Sequence, residues 1–189
     1  GGTVSPAPGG ATQNPFVDVK QGDYYYDAVQ WAVGKKITSG TSATTFTPDG
    51  ICTRAQTVTF LWRSQGSPKA AGAENPFTDV SKDAYYYDAV LWAVEQGITN
   101  GTSATTFSPD ATVTRGQTAA FLWRVAKQPQ VDQIANPFAD VTQDAYYYNA
   151  VLWAVAKEIT NGTSSTTFSP DQGCTRAQIV TFLWRTNSN

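Results

Sequence analysis

The sequence predicts an all-α protein made of three tandem helix-loop-helix modules. Three observations predict it. One motif returns at a fixed offset: Asn14-Pro15-Phe16, Asn75-Pro76-Phe77 and Asn136-Pro137-Phe138. Trp31, Trp92 and Trp153 keep the same offset, and self-similarity at one period marks a repeat architecture. Each copy also carries two apolar stretches with helical spacing. Finally, the second stretch always opens on a helix-start signal: Thr53-Arg54-Ala55-Gln56, Thr114-Arg115-Gly116-Gln117 or Thr175-Arg176-Ala177-Gln178. Thr-x-x-Gln ahead of an apolar run is a capping box, in which the Thr side chain and the Gln side chain each satisfy an orphan backbone amide. The modules are expected at 14–66, 75–127 and 136–186. Residues 1–13, rich in Gly, Pro, Ser, Thr and Ala, read as a flexible linker.

Within a module the elements follow in order. Asn14-Pro15-Phe16-Val17-Asp18-Val19 is extended or turned, because the residue before Pro avoids the helical region. Tyr24 to Val33 reads as the first helix, with Tyr25, Ala28, Val29, Ala32 and Val33 at helical spacing. Asp83 and Asp144 are candidate N-caps for its counterparts. Gly97 supplies a left-handed C-cap in the second module, where the others carry Lys36 and Glu158. The small, polar stretch from Ser39 to Asp49 is a loop, pinned by Phe46 and turned by Pro48-Asp49. The second helix runs from the box to about Arg63 and is apolar over more than one face. The second helices are therefore expected to pack together as a central bundle, with Trp62, Trp123 and Trp184 in the core and the first helices outside.

Composition narrows the function. A net charge of -2, with 15% charged residues, argues against a nucleic-acid partner, which needs a basic face. No apolar run is long enough to span a membrane, so no membrane insertion is expected. The chain has no His, which removes the commonest general base and metal ligand. Asp18, Asp79 and Asp140 read as turn or cap residues, and no zinc spacing, phosphate loop or nucleophile elbow is present. An enzyme is not expected, nor a cofactor or a metal. There is no Met, so the expectation is a mature form or a piece of something longer. The linker in front and the end soon after the third module suggest the C-terminal portion of a larger protein, continuous with an N-terminal passenger domain.

The succession Phe-x-Asp-Val, Ala-Val-x-Trp-Ala-Val, Ile-Thr-(Asn/Ser)-Gly-Thr, Phe-x-Pro-Asp and Thr-Arg-(Ala/Gly)-Gln resembles the S-layer homology (SLH) module. The resemblance covers nearly everything after Gln13, with five motifs in order, three times over. It implies a pseudo-trimeric, three-pronged spindle of helices. It also implies non-covalent anchoring of a surface protein to secondary cell-wall polysaccharide, outside a Gram-positive-type bacterium. In this family the glycans often end in pyruvylated N-acetylmannosamine, held in grooves between modules. The runner-up role is a protein–protein module that helps a surface lattice assemble. The family's tetrapeptide usually ends in Glu; here it ends in Gln in all three copies, which removes three carboxylates from the implied sites.

The candidate site residues follow from both readings. Arg54, Arg115 and Arg176 sit at the first helical position, where the dipole disfavours a cation but where an anion is readily held. Each either packs against a neighbouring module or holds an anionic sugar substituent. Gln56, Gln117 and Gln178 accompany them. Gly40-Thr41, Gly101-Thr102 and Gly162-Thr163 form turns that can also line a groove. Trp31, Trp92 and Trp153 are candidates for sugar stacking, as is at least one Tyr in each of the runs 24–26, 85–87 and 146–148. Cys52 and Cys174 occupy equivalent places before the first and last boxes, where the middle module has Val113. If the modules close around a three-fold-like axis, these two become neighbours. Either a disulfide links them, stapling the ring, or they are two buried free thiols.

Overall fold

The computed structural model describes residues 14–72, 74–131 and 134–188. The expected linker at 1–13 lies outside the described residues. Among those described, the regular elements are six α-helices, two per module: α1 (Tyr26–Gly34), α2 (Arg54–Ser64), α3 (Tyr87–Glu95), α4 (Arg115–Val125), α5 (Tyr148–Ala156) and α6 (Arg176–Ser188). None is long and apolar enough to cross a membrane.

All three capping boxes form. Thr53, Thr114 and Thr175 accept from the amides of Gln56, Gln117 and Gln178, and each Gln Oε1 accepts from the amide of its Thr in return. The first helices begin differently from expectation. Asp83 and Asp144 do not cap them; Tyr86 and Tyr147 stand at the cap without a side-chain bond, because a preceding turn already occupies the first amides. At the other end Gly97 takes the left-handed conformation (φ 71°), and Lys36 and Glu158 are forced into it at 60° and 58°.

The six helices close into a ring. α2 packs on α3, α4 on α5 and α6 on α1, so each second helix lies against the first helix of the next module, and the third module returns to the first. The second helices also touch one another and form the central bundle. At the axis the backbone makes its own cycle. The Cys52 amide donates to the Cys174 carbonyl, Cys174 to Val113, and Val113 to Cys52.

No disulfide joins the two cysteines, contrary to the disulfide reading. Cys52 and Cys174 are fully buried and free. The hydrogen-bonded cycle closes the ring without a covalent link. Burial pushes the two thiols up to about 12 and about 11.

The loop in each module is tied down from a distance. Asp18 accepts from the amides of Phe46 and Thr47, and Asp79 and Asp140 repeat the arrangement with Phe107, Ser108, Phe168 and Ser169. These carboxylates, read as local turn or cap residues, thus bridge segments 28 and 29 residues apart. The tryptophans are also exchanged. Trp92 and Trp153, candidates for sugar stacking, are 5% exposed, whereas Trp62, Trp123 and Trp184 are only partly buried. Trp62 and Trp123 stay at the rim because their indole N–H groups donate to Pro68 and Pro129 of the connecting segments.

Candidate functional site

The box arginines are almost completely buried: Arg54, Arg115 and Arg176 are 4%, 3% and 6% exposed. Each reaches into the following module. Arg54 Nε donates to the Phe107 carbonyl at 2.9 Å, Arg115 Nε to Phe168 and Arg176 Nε to Phe46, both at 2.8 Å. The guanidinium of Arg54 also lies 4.9 Å from the Phe107 ring and 5.6 Å from Phe121, and its counterparts repeat the pair. Stacking and a charge-assisted hydrogen bond offset the cost of a cation at a helix N-terminus. Burial lowers the pKa of all three, yet a guanidinium stays charged at physiological pH. The packing reading of these residues is therefore part of what they do.

Arg54 and Arg115 also border clefts. One cleft of about 320 Å³ takes Arg54 from the first module, Asn100 to Thr102, Gln117 and Arg124 from the second, and Tyr146 from the third. Another of about 380 Å³ takes Arg115, then Asn161 to Thr163, Gln178 and Arg185, and finally Tyr24. By the repeat, Arg176, Ser39 to Thr41, Gln56, Arg63 and Tyr85 hold the equivalent sequence positions around the first module. Both clefts therefore draw residues from all three modules, and only a closed ring completes them.

The lining is rich in donors. Gln117 spends Oε1 on its capping box, which leaves its amide nitrogen without a partner among the described residues. Arg124 gives one nitrogen to the Ile98 carbonyl, as Arg63 and Arg185 do to Ile37 and Ile159. Among the described residues no carboxylate pairs with any of these six arginines. Tyr24, Tyr85 and Tyr146, the first of each Tyr run, are 58–61% exposed.

Other candidates contribute less. Gly101 and Gly162 do line the clefts, but their glycine character has a packing cause. Gly101 has φ 87°, and a Cβ there would lie 2.4 Å from the Thr106 carbonyl and 2.5 Å from Phe77. The hydroxyls of Thr41, Thr102 and Thr163 are already engaged, Thr102 with the Thr106 and Ser108 hydroxyls at 3.0 and 2.6 Å. Neither Trp92 nor Trp153 lines these two clefts, although Trp153 borders a separate cavity of about 220 Å³ beside Pro129, and Trp31, half-buried on α1, is absent from the two sets too. Sequence reasoning missed Arg124 and Arg185 as cleft residues, reading them only as suited to the helix dipole. A signal was present: Gln117, Phe121 and Arg124 stand at i, i+4 and i+7, one face of a helix, and the same triplet recurs in each module.

The fold and its clefts define a class: a closed ring of three helical repeats with cationic grooves at the seams. The chain belongs to the S-layer homology domain family, which matches residues 15–58, 76–119 and 137–180. At the level of that family this is a cell-wall anchoring module of surface proteins. It is 30% identical over 186 residues to an endoglucanase of Bacillus sp. (strain KSM-635), covering 93% of this chain and 19% of that protein. It is likewise 30% identical to the surface-layer 125 kDa protein of Lysinibacillus sphaericus, covering 98% and 16%. A cell surface protein of Thermoanaerobacter kivui is 31% identical over 60% of this chain and 15% of its own length. The chain thus spans less than a fifth of the curated relatives it matches.

Proposed function

We propose that the chain anchors a larger surface protein to the wall of a Gram-positive-type bacterium by holding an anionic secondary cell-wall polysaccharide in its inter-module grooves. The recognised unit is a pyruvylated N-acetylmannosamine. One observation carries this reading: each of the two clefts joins two arginines from successive modules and an unpartnered Gln amide, with no carboxylate in its lining. A cleft of donors suits a ligand of acceptors, and the ketal carboxylate of a pyruvylated sugar is one. The exposed Tyr at the rim offers a face for the sugar ring. In this reading Arg54, Arg115 and Arg176 both close the ring and contact the ligand; Trp31, Trp92 and Trp153 take no part.

The test is co-sedimentation with purified wall sacculi, before and after acid removal of the secondary polymer. Sedimentation should require the polymer and should weaken with added salt. Retention on acid-stripped sacculi, or self-association without any polymer, would instead support the lattice-assembly role.

A further inference from the structure

Two of the three seams carry a proline strap. The segment leaving α2 turns back so that the Pro68 carbonyl accepts from Trp62 Nε1 at 2.8 Å. The segment leaving α4 repeats this with Pro129 and Trp123 Nε1 at 3.0 Å. Pro129 and Trp153 of the next module border one cavity of about 220 Å³, so this strap lies between a Trp of each helix at the seam. By the repeat, Pro68 stands to Trp92 as Pro129 stands to Trp153, and both of these tryptophans are 5% exposed. At the third seam α6 packs on α1, and Trp184 and Trp31 hold the corresponding positions. No strap covers them among the described residues. Trp184 Nε1 has no partner there, and Trp31 is only half-buried.

We infer that the third seam is a docking site for a proline-containing polypeptide segment, and that its occupant is the chain's own leading segment around Ser5-Pro6-Ala7-Pro8. Spacing favours this occupant. Pro68 and Pro129 each stand seven residues ahead of the Asn-Pro-Phe motif that follows them. The seventh residue ahead of Asn14 is Ala7, with a proline on either side. Ser67 and Gln128, just before the two strap prolines, take positive φ as the chain turns out of α2 and α4. The leading segment precedes α1 without leaving a helix at this seam, so it needs no such turn and tolerates a proline beside the bonding carbonyl. The chemistry matches as well. Two indoles offer apolar faces and an N–H donor, and a proline segment offers a rigid apolar ring with a carbonyl that no backbone ladder uses. The connecting segments join the first module to the second and the second to the third. The docked segment would tie the third to the first, where no covalent connection runs, and would fix the direction from which the chain enters the ring. This inference is independent of the groove-binding reading.

The six indole N–H signals of the 189-residue chain report on the site in proton–nitrogen correlation NMR. In the parent protein, Trp184 Nε1–H should exchange with solvent as slowly as those of Trp62 and Trp123. Deletion of residues 1–8, or the variant Pro6→Ser/Pro8→Ser, should speed the Trp184 exchange by about tenfold, the scale of one net hydrogen bond. Either change should shift the Trp31 and Trp184 signals and leave those of Trp62, Trp92, Trp123 and Trp153 in place, which also shows that the ring stays folded. Fast exchange of Trp184 in the parent protein overturns the inference. Trp31 and Trp184 signals unmoved by the proline variant overturn it too. So do parent signals that move with protein concentration, because the occupant would then be a second copy of the chain.

Discussion

A cation at the first position of a helix needs a local reason, and at Arg54, Arg115 and Arg176 the structure supplies one. Each guanidinium lies between two phenylalanine rings and donates to a carbonyl of the next module. The oddity of the residue was legible from the capping pattern; its partner was not. Phe107 is 53 residues from Arg54, and no local pattern reports a contact across a module boundary. The cysteines illustrate the same limit. Their equivalence placed them at the axis, but the choice between a disulfide and free thiols depended on surroundings that spacing does not show. Those surroundings have a consequence at high pH. The folded thiols titrate at about 12 and about 11, against an ordinary value near 9. Between these values the folded state holds protons that the unfolded chain has released. The stabilisation is complete below pH 9 and is lost as pH rises toward 11 and 12. The denaturant midpoint should fall from pH 8.5 to 10.5 by more in the parent protein than in Cys52→Val/Cys174→Val, for which Val113 is the natural precedent. Parallel declines in the two proteins would show that other groups carry the alkaline loss.

At the scale of the element, helices were far more legible than their surroundings. Box, apolar face and period located the second helices to within a residue or so. The first helices came out less sharply, because their start rests on a turn and not on an Asp cap. The tryptophans were misassigned for a geometric reason. Burial on a helix is decided by what lies across from it, and α3 and α5 are covered on more sides than the ends of α2 and α4, where Trp62 and Trp123 stand. The loop between the helices behaves as an element too. It is held by an Asp clasp, a hydroxyl network and a left-handed glycine packed under a phenylalanine. Gly162→Ala tests that description. The substitution strains a backbone at φ 85° and places a Cβ 2.5 Å from both Phe138 and the Thr167 carbonyl. Backbone strain and overpacking each cost about 1–3 kcal/mol. Urea unfolding should show a loss of at least about 2 kcal/mol with the slope unchanged. A change below about 0.5 kcal/mol would mean that the loop yields and that its glycine serves close approach of a ligand instead.

The whole molecule differs from an open repeat array in one respect: it has no terminal module. In a linear solenoid each repeat contacts only its neighbours, and the end repeats can fray. Here α6 packs on α1, and the third box arginine reaches back to Phe46, 130 residues earlier in the chain. Every module has two neighbours, so unfolding any one exposes two seams and breaks two of the three arginine bridges. The axial hydrogen-bond cycle is lost at the same step, since it needs Cys52, Val113 and Cys174 from all three modules. These couplings predict one cooperative transition despite three near-identical repeats. Scanning calorimetry should give a calorimetric enthalpy equal to the van't Hoff enthalpy. A defect confined to one module, such as Gly162→Ala, should move that single transition downward by about 2–4 °C for each kcal/mol lost and should not split it. The grooves require the same result, because each is assembled from three modules and exists only while the ring is closed. A thermogram resolving into separate peaks, with the mutated module melting first, would show that the modules fold independently. It would also show that a groove can lose one of its walls while the rest of the protein stays folded.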